Sequence, residues 1–237
     1  MAGMDRRLRT AAEMVREGAV AADIGTDHGY LITGLVASGR CSRGYACDIR
    51  PGPLEQARRT IRATGLEDRV AVVQTDGLSG LENEGIGDFL ILGMGGELIW
   101  EILSRSPWTK DARYRFILQP MTKPERLRCA LRANGYTVRA ERAARVGAFI
   151  YTVLCVEYTG ASETPDDFFS YTGRLWENPD AEARAYLETV ARKLERRAKG
   201  LLRGGASAEE TAQVQSLALE IRRRLQNVGD QRISGGD

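Results

Sequence analysis

The run YTVRAERAARVGAFIYTVLCVEY, residues 136–158, decides the fold class. Two β-rich segments, Tyr136–Arg142 and Ala148–Tyr158, are joined by a few residues containing Gly147. That join suits a turn and is too short for a helical crossover, so the spacing predicts an antiparallel hairpin. Just upstream, Leu127–Asn134 reads as a helix closed by Gly135.

Further upstream the pattern is different. Short apolar runs at Ala19–Gly25, Gly44–Asp48, Val70–Gln74, Phe89–Gly93 and Arg115–Gln119 read as five strands. Amphipathic stretches lie before and between them: residues 5–17, with Leu8, Ala11, Ala12 and Val15 at helical spacing, then Tyr30–Ser38 and Pro53–Thr64. Separations of this length allow crossovers, which makes the sheet parallel and covered on both faces. A nicotinamide-binding domain would continue with parallel strands. A parallel sheet that ends in an antiparallel hairpin is the α/β arrangement of class I (Rossmann-like) methyltransferases, a mostly parallel seven-stranded sheet.

Downstream, the polar stretch Gly160–Pro165 marks a boundary, giving a domain over 1–160 and a second over 161–237. Asn178-Pro179 offers an N-cap followed by a first-turn proline. Ala183, Leu187, Val190, Leu194, Ala198 and Leu201 then recur at steps of three and four. Gly204-Gly205 breaks that helix, and Ser207–Glu210 has capping-box spacing. A second seam follows at Val214, Leu217, Ile221, Leu225 and Val228, so the second domain reads as an antiparallel, coiled-coil-like helical hairpin. It serves either to contact substrate or to form a homodimer.

Composition excludes several classes. The 237 residues are 43% hydrophobic with 34 Lys+Arg against 32 Asp+Glu, which argues against disorder and against a disulfide-held miniprotein. No apolar run approaches the roughly 20 residues of a membrane span. The N-terminal stretch lacks the apolar centre of a signal peptide. Cys41, Cys47, Cys129 and Cys155 are scattered and unclustered with the one histidine, so no metal site is expected and a reduced cytoplasm is.

In open parallel sheets, ligands bind beyond the carboxyl ends of the strands. After the first strand stands Asp23-Ile-Gly25-Thr-Asp27-His28-Gly29-Tyr30. It is neither GxGxxG nor a Walker loop, so no diphosphate has a cradle here. Asp23 and Asp27 would repel pyrophosphate but suit the ammonium and sulfonium charges of S-adenosyl-L-methionine. Asp48 ends the second strand, where a carboxylate can accept both ribose hydroxyls of an adenosine. Asp76-Gly77 follows the third strand and could bind the exocyclic amine of the cofactor adenine. Gly93-Met94-Gly95-Gly96 follows the fourth and Gln119-Pro120 the fifth.

Arg7-Leu8, GAVAADIGTDHGYL (18–31), Asp76-Gly77-Leu78, LGMGGELI (92–99) and ILQPM (117–121) together resemble the bacterial TrmK-type tRNA (adenine(22)-N(1))-methyltransferases. The resemblance runs through residues 4–158, and a C-terminal helical coiled-coil domain is also a property of that family. It implies cofactor contacts from Arg7, Asp23, Gly25, Asp27, His28, Gly29, Asp48, Ile49, Asp76, Gly77, Gly93, Met94 and Gly95. Some relatives carry Glu at the place of Asp48; either carboxylate can serve a ribose.

Adenine N1 has a free lone pair, so transfer to it requires alignment in place of a base. Asp27 could stabilise the charge that develops on the ring, with helix capping as its plain structural role. His28 could touch cofactor or substrate, and Tyr30 could stack on a base or pack beneath the loop. The glycines after the fourth strand replace the Asn/Asp-Pro-Pro-aromatic run of amine methylases, argue against amine methylation, and would let a base approach Gly96. Gln119 is a candidate base-edge contact. Residues 105–145 hold 11 Lys+Arg against three acids, Arg126 and Arg145 among them, a stretch that could follow tRNA phosphates or simply be solvated. Trp100 and Trp108 read as core. A small-metabolite methyltransferase and a non-catalytic RNA-binding protein remain the alternatives.

Overall fold

The computed structural model describes residues 4–177 and 179–233. They form two compact units, Met1–Pro165 and Asp166–Asp237.

In the first unit, α1 (Arg6–Met14) opens with Asp5, whose carboxylate accepts the Leu8 N–H at 2.9 Å. Its inner face buries Ala11, Ala12 and Met14. There follow β1 (Ala19–Ile24), α2 (Tyr30–Ala37), β2 (Cys41–Asp48), α3 (Pro51–Thr64), β3 (Val70–Gln74), β4 (Asp88–Gly95), α4 (Gly96–Ser104), β5 (Arg115–Thr122), α5 (Pro124–Ala133), β6 (Tyr136–Val146) and β7 (Phe149–Tyr158). Proline in the first turn starts α3, where no N–H partner is lost, and left-handed Gly65 ends it.

The seven strands have the order β3-β2-β1-β4-β5-β7-β6. The first five are parallel; β7 enters antiparallel beside β5, and β6 pairs with β7 alone. Gly147-Ala148 makes the hairpin turn, with Gly147 at φ 57°, a conformation that favours glycine. The pairing Leu118↔Leu154 places this turn at the carboxyl end of the parallel strands. The fold is therefore the class I methyltransferase sheet. β4 corrects the sequence reading in one respect: it runs on through Gly93–Gly95 with shifts of register, so these residues belong to the strand and not to a loop after it.

Phe89, Trp108, Tyr114, Phe116 and Tyr136 pack ring on ring, and Trp100 meets Tyr136 edge-on at 6.2 Å. Trp100 and Trp108 are thus packing residues. Arg128 of α5 is wholly buried, and its Nε and Nη2 reach the buried Glu141 of β6 at 3.1 and 2.6 Å.

In the second unit, α6 (Asp167–Thr172) is a short helix that the sequence pattern did not reveal. α7 (Ala181–Arg203) and α8 (Ala208–Ile233) pack along Leu187, Val190, Leu194 and Ala198 on one side and Val214, Ala218 and Ile221 on the other. Glu195 and Arg222 bridge them at 3.0 Å. The cap of α7 is Asp180, which accepts from Ala183 N at 2.7 Å, not the residue before Pro179. Asn178 and the Val228 side chain lie outside the described residues. Ser207 caps α8 through Glu210 N. Among the described residues, no helix is long and apolar enough to cross a membrane, and no cluster of His, Cys, Asp or Glu could hold a metal ion.

Candidate active site

The strand order reverses at β1, so the crossovers on its two sides diverge and open a crevice at the carboxyl end of β1 and β4. The turn after β1 is tied to β2: Gly25 N and Thr26 N both donate to Cys47 O at 2.8 Å. Gly25 and Gly29 have φ of 76° and 70°, and Ala57 of α3 lies 3.1 Å from where a Cβ on Gly29 would be. Glycine is needed there for both reasons.

Asp23, at the end of β1, is buried. Burial pushes its carboxyl up to about 6, the nearby Thr26 hydroxyl opposes this in part, and the neighbouring charge of Asp48 adds to it. No ion-pair partner faces Asp23 among the described residues. Asp48 is buried too; its Oδ1 accepts Arg50 N at 2.8 Å. Two desolvated acids on adjacent strand ends make a place that favours a cation. Ile49, next in the chain, is exposed.

Asp27, His28 and Tyr30 form an exposed group at the rim. His28 Nε2 lies 3.2 Å from Asp27 Oδ2, and the His28 and Tyr30 rings stack at 5.4 Å and 20°. Asp76 is placed less simply than its position after β3 suggests. Arg105 holds it at 2.9 Å, and the β-face of Gly77 is filled by Ile102.

At the end of β4 and the start of α4, the side of Gly93, Gly95 and Gly96 that a Cβ would occupy faces the chain's own atoms, and Gly96 is buried. A Cβ on Gly96 would meet Lys123 O at 2.5 Å, one on Gly95 would meet Thr122 Oγ1 at 3.3 Å, and one on Gly93 would meet Arg7 Nη1 at 3.4 Å. A Cβ on Gly25 would meet the Met94 methyl at 2.2 Å. Gly96 is required because backbone crowds it, whereas Gly25 and Gly93 are favoured by their φ of 76° and 78°. The expectation that Gly96 admits a base is corrected accordingly. Gln119 is corrected as well: it is fully buried, with its amide oxygen accepting from Arg7 Nη1 at 2.7 Å and Gly93 N at 3.1 Å. It has no edge to offer a base. What sequence reasoning missed is this link between residues 7, 93 and 119, which only the folded sheet brings together.

The basic stretch is also changed by folding. Nine of its eleven cations meet carboxylates: Arg105, Arg113, Arg115, Lys123, Arg126, Arg128, Arg132, Arg139 and Arg142. Most of the acids come from outside the stretch, including Glu13, Asp76, Glu97, Glu157 and Glu163. Arg126 is shared with Lys123 on Glu97, at 3.1 Å. Arg145, near the hairpin turn, and Lys110 have no ion pair among the described residues.

With this geometry in view, residues 4–154 match the methyltransferase domain family. The tRNA (adenine(22)-N(1))-methyltransferase of Bacillus subtilis is 34% identical over 154 residues, which span 65% of this chain and 65% of that one. The crystal structure of the B. subtilis M1A22 tRNA methyltransferase TrmK superposes with a TM-score of 0.78 at 27% identity, covering 96% of this chain and 99% of that one. The chain belongs to the TrmK-type methyltransferase family. A further TrmK-like neighbour is Sp1610 of Streptococcus pneumoniae, solved in complex with S-adenosyl-L-methionine; it has a TM-score of 0.77 at 26% identity and covers 94% of this TrmK-type chain and 99% of its own.

Proposed function

We propose that this chain methylates N1 of an adenine in tRNA, adenine 22 by family membership, with S-adenosyl-L-methionine as methyl donor. The observation that carries the reading is the pair of buried acids, Asp23 and Asp48, set side by side with no ion pair on Asp23 among the described residues. Such a site repels a diphosphate and suits a ligand bearing ammonium and sulfonium charges. The donor set fits the group: Asp48 takes the ribose hydroxyls, Asp23 sits near the cationic end, Ile49 covers the adenine, and Arg7 meets the carboxylate. Asp76 reaches the adenine amine only by sharing itself with Arg105.

When bound, the cofactor supplies an electrophilic methyl. The rim residues then need only orient the nucleophile. N1 requires no deprotonation, so His28 is not a general base in this reading; with Tyr30 it forms an aromatic platform for the target ring. The exposed Asp27 carboxylate stabilises positive charge developing on that ring. Arg145 contacts phosphates at the carboxyl end of the sheet, and Arg126 joins it only by leaving Glu97. In the second unit, exposed Arg192, Lys193, Arg196 and Lys199 follow the tRNA body, in preference to a homodimer contact. Such an enzyme works in the cytoplasm.

The test is incubation with unmodified tRNA and methyl-labelled cofactor, followed by nucleoside analysis. Label in 1-methyladenosine is the expected result. A folded protein that leaves every nucleoside unlabelled overturns the reading.

A further inference from the structure

We infer that Gln119 is a positioning residue for cofactor capture, its one side-chain oxygen fixing both the Arg7 guanidinium and the Gly93 peptide. The inference rests on the cofactor reading above and assigns a device that serves it.

Three elements meet at this amide: Arg7 of α1, Gly93 of β4 and Gln119 of β5. Its orientation is set by chemistry. Oε1 receives two N–H donors, from Arg7 at 2.7 Å and Gly93 at 3.1 Å, while Nε2 donates to Pro120 O at 2.9 Å. A flipped amide would oppose donors to donors at Arg7 and Gly93, so only one arrangement satisfies the buried group. Gly93 lies where β4 shifts register against β5, a place at which the regular ladder leaves an N–H without a partner. Gln119 supplies the missing acceptor.

Two consequences reach the crevice. A trans peptide points its C=O opposite its N–H, so tying Gly93 N to the β5 side turns the Leu92 carbonyl toward β1, the side on which the crevice opens. Arg7 is held through Nη1 by Gln119 and by Met121 Sδ at 3.8 Å, and through Nη2 by Asp5 Oδ2 at 3.4 Å, and about a fifth of its side chain stays exposed. The guanidinium has five donors, of which these contacts use three, so two N–H groups remain for a carboxylate. Gly93 has φ 78°, a conformation that favours glycine, and a Cβ there would just touch that guanidinium at 3.4 Å. Asp5 both caps α1 and steadies Arg7, which links the start of the helix to the ligand.

The experiment is a double-mutant cycle read by calorimetric titration with S-adenosylhomocysteine on the native chain, Gln119→Leu, Arg7→Ala and the double variant. Gln119→Leu is expected to weaken binding by about tenfold or more, the effect of releasing a charge-assisted hydrogen bond. In the Arg7→Ala background the same change should cost about threefold or less, because the group through which Gln119 acts is gone. The KM for tRNA should stay unchanged. If Gln119→Leu does not fold, Gln119→Met, of similar volume and unbranched, takes its place. Additive effects, or unaltered cofactor affinity, overturn the inference alone. A loss confined to the KM for tRNA also overturns it and restores a base contact. Failure of the native chain to bind removes the cofactor reading and this inference together.

Discussion

The crevice at β1 and β2 and the flank formed by residues 105–145 treat charge in opposite ways. In the crevice, Asp23 and Asp48 are drawn out of water side by side; Arg50 Nε reaches Asp48 at 3.4 Å, while Asp23 has no counter-ion among the described residues. On the flank, nine of the eleven cations that look conspicuous in the sequence pair with carboxylates, most of them from elsewhere in the chain, with Glu97 and Glu157 each serving two. Charge that the fold leaves uncompensated marks where a ligand completes the structure. Charge that the fold compensates is structural, whatever its density along the chain.

The sharpest way to break this contrast is to remove one member of the buried flank pair. Arg128→Leu leaves Glu141 buried without its cation, and a loss of about 3–5 kcal/mol in unfolding free energy is expected by denaturant titration. In the crevice, Asp48→Ala removes the acceptor for the ribose. Cofactor affinity should fall by about a hundredfold, with tRNA affinity altered far less. Equal effects on both would sink the ribose assignment.

Acid should separate the regions again. Asp23 has its carboxyl raised from 3.8 to about 6, so below that pH it is neutral and loses its attraction for a cation. Affinity for the cofactor should therefore decline as pH falls through about 6, by roughly tenfold per unit for one linked proton, and Asp23→Asn should flatten the slope. The ligand-free fold runs the other way. An acid with a raised pKa loses stability as pH rises from about 4 to 6, since the unfolded chain ionises first. The smallest effects are expected on the exposed flank. Arg142→Ala, which only frees Glu13, should change tRNA affinity by about twofold or less, whereas Arg145→Ala should weaken it by about threefold to fivefold. A reversed ranking in a filter-binding assay would show that ion pairing does not decide which cations meet RNA.

Much of the sheet was legible because each parallel strand is a short apolar run between amphipathic segments, and the hairpin because Gly147 stands between two β-rich ones. α6 was not, since six residues give too little periodicity to see. The extension of β4 through Gly93 and Gly95 ran against the usual place of glycine in turns. At the site, Asp23, Asp48 and the Asp27–Tyr30 group could be read because they follow strand ends in the chain. The role of Gln119 could not, as its partners lie 112 and 26 residues away. Nor could the neutralisation of the basic stretch, because a carboxylate such as Glu13 reaches Arg142 across 129 residues.

The insertion of β7 between β5 and β6 has a consequence for synthesis. As the chain leaves the ribosome, five parallel strands can assemble in order, yet the outer edge of β5 stays open until residue 158 has emerged. β6 arrives before β7 but touches only β7, so it cannot close that edge itself. The hairpin has to form first and dock as a unit, with Arg115 and Glu157 meeting at the seam. Until then β5 presents unpaired backbone to any neighbouring chain, which makes the stretch of translation between residues 122 and 158 the interval in which this protein is most exposed to misassembly.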